Sequence, residues 1–188
     1  MLPIEIPDSE MWDPNYVNEK GEKIGRFIPV KATVLNLEHS LVSISKWEAK
    51  WHKPFLNGEK NTEETLDYIR CMTITQNVDP NVYQCLTREN IEKITKYIED
   101  PATATVFKET RNSPKSREII TSEIIYYWMI SYNIPVEICQ KWHLNRLLAL
   151  IRVFNIKNAP PKKRSQSEII RDYAHINEMN RKRFNSKG

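Results

Sequence analysis

The spacing of apolar residues changes along the chain from a period of about two to a period of about 3.6. Residues 2–6 alternate apolar and polar side chains, and residues 26–37 include many β-branched and aromatic ones, with Lys20-Gly21-Glu22 as a turn between them. Because strands alternate side chains between two faces, these segments predict a small N-terminal β-hairpin. The turn residues of Trp12-Asp-Pro-Asn-Tyr16 predict an interruption of that hairpin.

From Ser40 onward, apolar residues recur every three or four positions, which is typical of amphipathic helices. Capping residues and prolines mark the ends of four of them. These helices are predicted from Ser40 to Pro54, from the Asn61/Glu64 capping box to about Gln76, over a short stretch from Asp79-Pro80, and from about Thr87 to Glu99. Residues 102–116 begin β-prone and end rich in turn residues, which predicts a surface loop that has a mobile tip and is able to pair with the N-terminal strands.

Two more helices are predicted to form an antiparallel core pair. Residues 118–132 are apolar around most of the helical circumference, which predicts a central helix with neighbours on several sides, ending at Ile134-Pro135. The next helix is predicted over residues 136–154. Its expected buried residues are Trp142, Leu144, Leu147, Leu148, Ile151 and Phe154.

The C-terminal segment begins with Ala159-Pro-Pro-Lys-Lys-Arg164, which predicts an extended hinge because of its prolines and like charges. Ser165-Gln-Ser-Glu168 is a capping box that opens a final helix. This helix carries a narrow apolar stripe of Ile169, Ile170, Tyr173, Ile176 and Met179. Docking of the stripe onto a partner and packing within the same chain are both open alternatives.

These elements predict a mainly α fold: a compact multi-helix domain with a small N-terminal β-hairpin and a detachable C-terminal helix. The predicted boundaries are 1–37 for the hairpin region packed on the body, 38–158 for the helical core domain, and 159–188 for the Pro/basic hinge with the C-terminal amphipathic helix. A chain of 188 residues is large enough to bury one core without disulfides or metals.

Composition supports a globular intracellular protein, with 40% hydrophobic and 28% charged residues. Three cysteines at irregular spacings, Cys71, Cys85 and Cys139, argue against a disulfide framework and favour free, mostly buried thiols in a reducing compartment. The acidic, proline-containing N-terminus does not resemble a secretory signal, and no apolar run is long enough to span a bilayer. We therefore expect a cytoplasmic protein with no membrane partner.

The net charge of +4 is concentrated at one end of the chain. From Lys157 onward, nine Lys or Arg residues face three acids, a net charge of +6. Lys162-Lys-Arg164 and Arg181-Lys-Arg183 are suited to phosphate contacts, but no nucleic-acid-binding motif accompanies them, which favours a solvated end. The cluster Tyr126-Tyr127-Trp128 is interpreted as core packing in preference to base stacking.

The candidate chemistries do not assemble into a catalytic or metal site. Cys139 and His143 stand four apart on a predicted helix, yet a structural zinc site needs four ligands, so a buried thiol and a core histidine are favoured. The acids Glu59, Glu63, Glu64 and Asp67 fall in the first turns of a helix, where negative charge is stabilising, and are interpreted as a solvated face. We predict no enzyme, and no catalytic, cofactor-binding or metal-binding residue.

Three longer strings carry a resemblance to a known family. They are Leu37-Glu-His-Ser-Leu-Val-Ser-Ile-Ser-Lys-Trp-Glu-Ala-Lys-Trp-His-Lys-Pro-Phe55, whose tryptophan helix we expect to stay in the core, Glu123-Ile-Ile-Tyr-Tyr-Trp-Met-Ile-Ser-Tyr-Asn-Ile-Pro135, and Lys141-Trp-His-Leu-Asn-Arg-Leu-Leu-Ala-Leu-Ile-Arg-Val-Phe-Asn-Ile-Lys-Asn158. The chain resembles, over nearly its whole length, the tail assembly chaperones of long-tailed phages.

The resemblance implies a non-enzymatic protein in the cytoplasm of the infected bacterial host. Such a protein binds the phage tape-measure protein, keeps its apolar segments from aggregating and helps recruit tail-tube subunits, and homo-oligomers are a further kind of partner. The family often has a short and a frameshifted long form, and this chain would be the short one. Two alternatives remain open: a structural tail or baseplate component retained in the virion, and a nucleic-acid-binding regulator that uses the basic C-terminal segment.

Overall fold

The computed structural model of the chain describes residues 1–107, 118–159 and 166–184. Within these ranges the protein is mainly α-helical, as predicted, with about 52% of the residues in helices. The helices are α1 (Leu41–Trp51), α2 (Thr62–Met72), a 3-10 helix (Pro80–Cys85), α3 (Arg88–Glu99), α4 (Ser122–Ser131), α5 (Val136–Cys139), α6 (Leu144–Asn158) and α7 (Gln166–Phe184). None of the described helices combines the length and the apolar character needed to cross a bilayer.

The N-terminal hairpin is longer than predicted and contains four strands instead of two. Strand β1 (Leu2–Ile6) pairs antiparallel with β4 (Thr33–Leu37), and β2 (Ser9–Asp13) pairs with β3 (Arg26–Val30). Two residues separate the ladders on each side, so both ladders share one continuous register. The Asp8 carboxylate accepts a hydrogen bond from the Ala32 amide across this gap at 2.6 Å.

The hairpin is interrupted at Pro7-Asp8, which was not predicted, and again at residues 14–16, within the predicted stretch Trp12–Tyr16, beyond which the Val17–Lys23 bridge resumes the pairing. Trp12 and Asp13 belong to β2, because the Trp12 ring packs edge-to-face on its cross-strand partner Phe27, with ring centroids 5.0 Å apart. Turn chemistry begins only after Asp13, whose side chain accepts the Asn15 amide. The predicted turn around Gly21 is confirmed, with Asn18 and Glu22 joined across it.

We call the β1–β4 ladder the inner ladder and the β2–β3 ladder the outer ladder. Side-chain alternation in the inner ladder places one face of the hairpin in the core. The buried residues of this face are Ile4, Ile6, Leu35 and Leu37. The outer edge of β4 is covered by the segment after α2, where the Ile74 amide donates to the Asn36 carbonyl at 2.8 Å. This pairing explains why α2 ends at Met72, before the predicted Gln76: residues 73–75 are drawn into an extended conformation along the strand.

The first helices begin where the capping residues predict. Ser40 caps α1 reciprocally with Ser43, and Asn61 and Glu64 form the predicted capping box of α2. Asp79 caps the Pro80 helix, which is 3-10 rather than α, and Thr87 caps α3. Helix α1 stops at His52, which adopts a left-handed conformation two residues before Pro54.

Helix α4 is a surface helix, and the prediction of a central helix with neighbours on several sides was wrong. It begins at Ser122 and buries Ser122, Ile125 and Met129. Its main contacts are with α1 and α5. Tyr127 and Ile130, on the opposite side, are 67% and 66% exposed. An all-round apolar pattern therefore marks here a helix with one buried face and one exposed apolar face.

The helix predicted over residues 136–154 is divided into α5 and α6. Between them the chain pairs with the start of α1: His143 bridges Ser40, and the Leu144 amide donates to the His39 carbonyl at 2.7 Å. The predicted antiparallel core pair is replaced by the packing of α4 on α1 and α5. Leu144, Leu147 and Ile151 are buried as predicted, whereas Trp142, Leu148 and Phe154 are half-buried.

Several predicted features fall outside the described residues. They include the tip of the 102–116 loop, most of the 159–164 hinge and the Ser165 cap. The described start of the loop, residues 102–107, is not part of a strand. The prediction that this stretch is able to pair with the N-terminal strands was therefore wrong for these residues.

The chain divides into two compact units. The first, Met1–Phe154, holds the hydrophobic core, whose largest fully buried side chains include Trp47, Leu41, Ile69, Ile125 and Met129. The second, Asn155–Gly188, contains the end of α6 and the 19-residue helix α7.

Candidate functional site

The acids at the start of α2 are structural anchors, and their interpretation as a solvated face was wrong for two of the four. Glu64 and Asp67 are buried, while Glu59 and Glu63 are exposed as predicted. Two lysines reach the buried carboxylates: Lys50 of α1 pairs with Asp67, and Lys53, two residues after α1, pairs with Glu64. No sequence signal near α2 reveals these partners, because they lie 11 and 17 residues away.

The pKa values of both carboxyl groups are lowered. For Glu64 the hydrogen bond from Lys53 is the main cause, followed by the bond from the Asn61 amide. Burial by itself would raise the pKa of Asp67, but the hydrogen bonds from Lys50 and the Trp51 indole outweigh it. Both groups are therefore held in the charged state that their lysine partners require.

The tryptophan helix α1 is part of the core, as predicted. Trp47 is fully buried, and its indole nitrogen donates to the Glu64 carbonyl at 2.9 Å. Trp51 stacks beside it, and its indole donates to Asp67. The two tryptophans thus bind α1 to α2 and are not available as anchors for a partner.

A third buried carboxylate, Glu48, was not singled out by sequence reasoning. One of its oxygens accepts the Phe55 amide and the other accepts the Ser122 amide, each at 2.7 Å. Glu48 therefore joins α1 to the loop after it and to the first turn of α4. With both oxygens accepting backbone bonds, its role in the described structure is to hold these segments together.

A histidine cluster lies where α1 and α6 begin: His39, which sequence reasoning did not single out, is buried, and His143, predicted as a core histidine, is half-buried. The His39 Nδ1 atom is 2.6 Å from the Tyr68 hydroxyl, and the His39 and His143 rings are 5.0 Å apart. The His143 Nε2 atom lies 2.9 Å from the Tyr97 carbonyl, so it carries the proton, while Nδ1 is buried without a partner among the described residues. Burial, reinforced by His143, lowers the pKa of His39 to about 3.

The candidate metal ligands Cys139 and His143 do not share the single helix that the sequence predicted, because the chain breaks between α5 and α6. Cys139 ends α5 and is buried, whereas His143 precedes α6 and bonds to Tyr97. Burial raises the pKa of the Cys139 thiol, which disfavours the thiolate that a nucleophile or a metal ligand needs.

All three cysteines are free, but only Cys139 is fully buried, so the expectation of mostly buried thiols was wrong for Cys71 and Cys85. In the described part of the chain, no three His, Cys, Asp or Glu residues are grouped so that they could hold a metal ion.

Exposed aromatic residues occur at two places in the first unit. The interpretation of Tyr126-Tyr127-Trp128 as core was wrong for Tyr127, which lies on the outer face of α4. On the outer hairpin ladder, the Trp12–Phe27 pair is also exposed, with the Trp12 indole lying against Gly25. Both are solvent-facing apolar features, and among the described residues neither is accompanied by a set of polar groups that would form a ligand-binding site.

Helix α7 carries the most regular exposed apolar surface of the described structure. Ile170, Tyr173, Ile176 and Met179 follow one another at intervals of three, so that each is rotated by about 60° from the one before and the four form a ridge that winds around about half of the helix. Their exposed fractions lie between 51% and 67%. We call these four residues the α7 stripe, and it is the candidate partner-binding site of the chain.

The basic residues Arg181, Lys182 and Arg183 occupy the last turn of the same helix, where positive charge complements the helix dipole. Lys182 pairs with Glu178 one turn earlier, at 2.8 Å. The second predicted basic run, residues 162–164, lies outside the described residues.

Comparisons with protein-family models, curated proteins and solved structures found no match to the chain.

Proposed function

We propose that this protein is a non-enzymatic tail assembly chaperone of a long-tailed phage, acting in the cytoplasm of the infected host. In this proposal the α7 stripe binds the tape-measure protein and assists tail-tube assembly. The observation that carries the proposal is the exposure of four large apolar side chains at helical spacing on one 19-residue helix. Contiguous exposed apolar surface of this kind is typical of protein–protein interaction sites.

The stripe suits the handling of another helical protein. Side chains three apart on α7 form a ridge that packs into the groove between side chains of a second helix. Covering the apolar seam of a tape-measure helix in this way would keep the seam from associating with other copies. The family resemblance of the three sequence strings supports the same partner, and detachment of α7 from the helical body would let the helix follow it.

The engagement of the buried polar groups supports a non-enzymatic role. The hydrogen-bonding atoms of Glu48, Glu64 and Asp67 are occupied by partners within the fold, and His39 is held in its neutral form. A catalytic acid or base instead needs access to substrate and a pKa near the working pH.

Co-expression with the tape-measure protein tests the proposal. The wild-type chain should give a soluble complex that survives affinity purification. Replacing two stripe residues, Ile176→Ser with Met179→Ser, should abolish it, because the ridge is lost. The matched control, Arg171→Ser with His175→Ser, alters the same number of exposed residues off the stripe and should leave the complex intact. Failure of the wild-type chain to capture a tape-measure protein that is itself soluble would contradict the proposal.

The alternative of a retained tail or baseplate component differs in the fate of the protein. Mass spectrometry of purified virions separates the two: an assembly factor is absent from the finished particle, whereas a structural component is present at a fixed ratio to the other tail proteins.

A further inference from the structure

We infer that a cleft between α2, the 3-10 helix and α3 binds a short peptide segment in which a carboxylate side chain is flanked by apolar ones. We call it the α2–α3 cleft, and its lining includes Leu66, Arg70, Tyr83, Leu86 and Ile91. The cleft lies within the first compact unit, and its role as a binding site is independent of the function proposed for the α7 stripe.

The α2–α3 cleft has the size and the apolar lining of a ligand site. Its volume is about 820 Å³, within the range of about 300–1,000 Å³ that is typical of such sites. Leu66 of α2, Leu86 after the 3-10 helix and Ile91 of α3 line it and are half-buried. Thr62 and Thr65, also in its lining, are exposed, so the cleft is open along α2. An open cleft suits a peptide segment lying across the surface better than an enclosed small molecule.

Tyr83 brings a hydroxyl without a hydrogen-bond partner to the lining of the cleft. The residue is only 6% exposed, yet its hydroxyl bonds to no other group in the part of the chain that the structure describes. The hydroxyl is not one of the unpartnered polar atoms that are sealed off from the surface, so an incoming group can reach it. Buried tyrosine hydroxyls usually have a partner. The Tyr83 hydroxyl is therefore suited to donate to a carboxylate that enters the cleft.

Arg70 supplies a positive charge next to Tyr83. Its guanidinium carbon lies 5.3 Å from the centroid of the Tyr83 ring. The Asp67 carboxylate is 4.0 Å away, beyond hydrogen-bond distance, and the same oxygen already accepts from Lys50. Within the described residues the guanidinium donates no hydrogen bond, and 41% of the side chain is exposed. An arginine with free N–H groups binds a carboxylate through two parallel hydrogen bonds, so Arg70 and Tyr83 form a carboxylate-binding end of the cleft.

The other charged residues of the cleft determine where the acid of a bound segment lies. Lys60 and Glu63 both line the cleft, at the start of α2. The Lys60 ammonium donates to the Phe55 carbonyl at 2.6 Å and is therefore held within the fold. Glu63 precedes Arg70 by seven residues, about 10 Å along the helix axis, and repels an acid at its own end. The acid is therefore bound at Arg70, and its apolar neighbours pack on the half-buried apolar residues of the cleft.

Titration of the full-length ¹⁵N-labelled chain with two blocked peptides tests the inference by NMR. In both peptides leucines flank a central residue, which is glutamate in one and glutamine in the other. The glutamate peptide should bind at least about tenfold more tightly at low salt and shift resonances of α2, the 3-10 helix and α3, because only it offers a charge to Arg70. This advantage should shrink as salt is added. Equal affinities, absence of binding, or shifts confined to other parts of the chain would overturn the inference.

A pair of arginine variants locates the charge that matters. Arg70→Gln should remove most of the advantage of the glutamate peptide. Arg26→Gln is the matched control, because Arg26 also lies over a tyrosine ring, that of Tyr16 on the hairpin, at 4.2 Å. It makes the same change in net charge and should leave the affinity unchanged. Equal losses in the two variants would mean that only total charge acts, and the proposed site would be wrong.

A pair of tyrosine variants separates binding from folding. The Tyr83 hydroxyl has no partner within the described residues, so Tyr83→Phe should leave the urea midpoint unchanged while weakening the glutamate peptide about tenfold. The Tyr97 hydroxyl instead donates to Glu38 at 2.6 Å. Tyr97→Phe should therefore lower the urea midpoint and leave peptide binding intact. Full retention of binding in Tyr83→Phe would refute the site.

The outcomes are distinguishable from those that test the proposed function. Ile176→Ser with Met179→Ser should leave the affinity for the glutamate peptide unchanged, although it should abolish the tape-measure complex. Loss of peptide binding in this variant would place the peptide on α7 and overturn the inference. Selective peptide binding without a tape-measure complex would leave the inference standing and contradict the proposed function alone.

Discussion

Several buried polar residues in the described part of the chain are tied to a partner far away in the sequence. Glu48 reaches a backbone amide 74 residues ahead, and His39 reaches a tyrosine 29 residues ahead. A helical pattern shows that such a residue lies on the inner face, but it does not show which group meets it. This is why the sequence located Glu64 and Asp67 on α2 correctly and yet predicted them to be solvated.

Replacing Glu48 should destabilise the fold strongly. The Glu48 carboxylate now accepts hydrogen bonds from two backbone N–H groups. In Glu48→Gln the side-chain NH₂ would face one of these N–H groups, so a buried donor would be left without an acceptor. We expect a loss of about 2–4 kcal/mol in the free energy of unfolding, measured by urea denaturation. Glu63→Gln, at an exposed position, is the control and should change stability by less than about 0.5 kcal/mol. A similar effect of the two changes would refute the bridging role of Glu48.

Stability should also fall as the pH is lowered through the range in which free histidine titrates. The pKa of His39 is about 3 in the folded protein, against 6.5 for a histidine exposed to water, so between these values the unfolded chain takes up a proton that the folded chain excludes. The stability from His39 is therefore present above about pH 6.5 and is lost on acidification, by at most about 1.4 kcal/mol per pH unit.

Urea midpoints at pH 7 and pH 5 measure this dependence before the lowered pKa values of Glu64 and Asp67 contribute at lower pH. His39→Phe should remove most of the slope, while His175→Phe, at an exposed position on α7, should not. A slope that is unchanged in His39→Phe would exclude this residue as its origin.

At the scale of elements, local chemistry determined where helices start more reliably than how they pack. The Asn61 and Asp79 caps were identified from the sequence because a capping side chain meets amides only two or three residues ahead, and the starts of α1 and α3 were predicted near Ser40 and Thr87, which the structure shows to be caps as well. The outer face of α4 and the division of α5 from α6 were not, because both depend on which distant segments lie nearby. Residues 73–75, drawn along β4, show the same dependence on long-range pairing.

The outer ladder of the hairpin yields a test that depends on one glycine. Gly25 has a φ of +61°, and a Cβ atom there would lie 2.2 Å from the Trp12 indole. Gly25→Ala should therefore displace the indole in addition to straining the backbone, at a cost of about 2–3 kcal/mol, and shift the Trp fluorescence. Gly21→Ala shares the positive φ but faces open space, so it should cost only about 1 kcal/mol. Equal costs would show that the indole moves freely.

At the scale of the whole molecule, the hydrophobic core and the α7 stripe belong to different compact units. The prolines and like charges before the last helix predicted a separable end from residue 159, whereas the division between the compact units falls between Phe154 and Asn155, inside α6. What the sequence left open was whether the stripe is covered by the chain itself, since apolar residues at helical spacing suit either outcome.

Truncation should therefore separate stability from binding. A chain of residues 1–158 keeps every core residue. Its free energy of unfolding, measured by urea denaturation, should therefore match that of the full chain within about 0.5 kcal/mol. It should no longer capture the tape-measure protein, as judged by affinity purification. A truncated chain that unfolds at much lower urea would mean that residues 159–188 contribute to the core, and one that still binds would place the partner site elsewhere.

The shared register of the two hairpin ladders limits how this arm can evolve. One residue inserted in each strand between the ladders would keep the pairs but turn every distal side chain to the opposite face, bringing Trp12 and Phe27 inward and Met11 and Ile28 outward. Viable length variants of the arm should therefore gain or lose two residues in each strand.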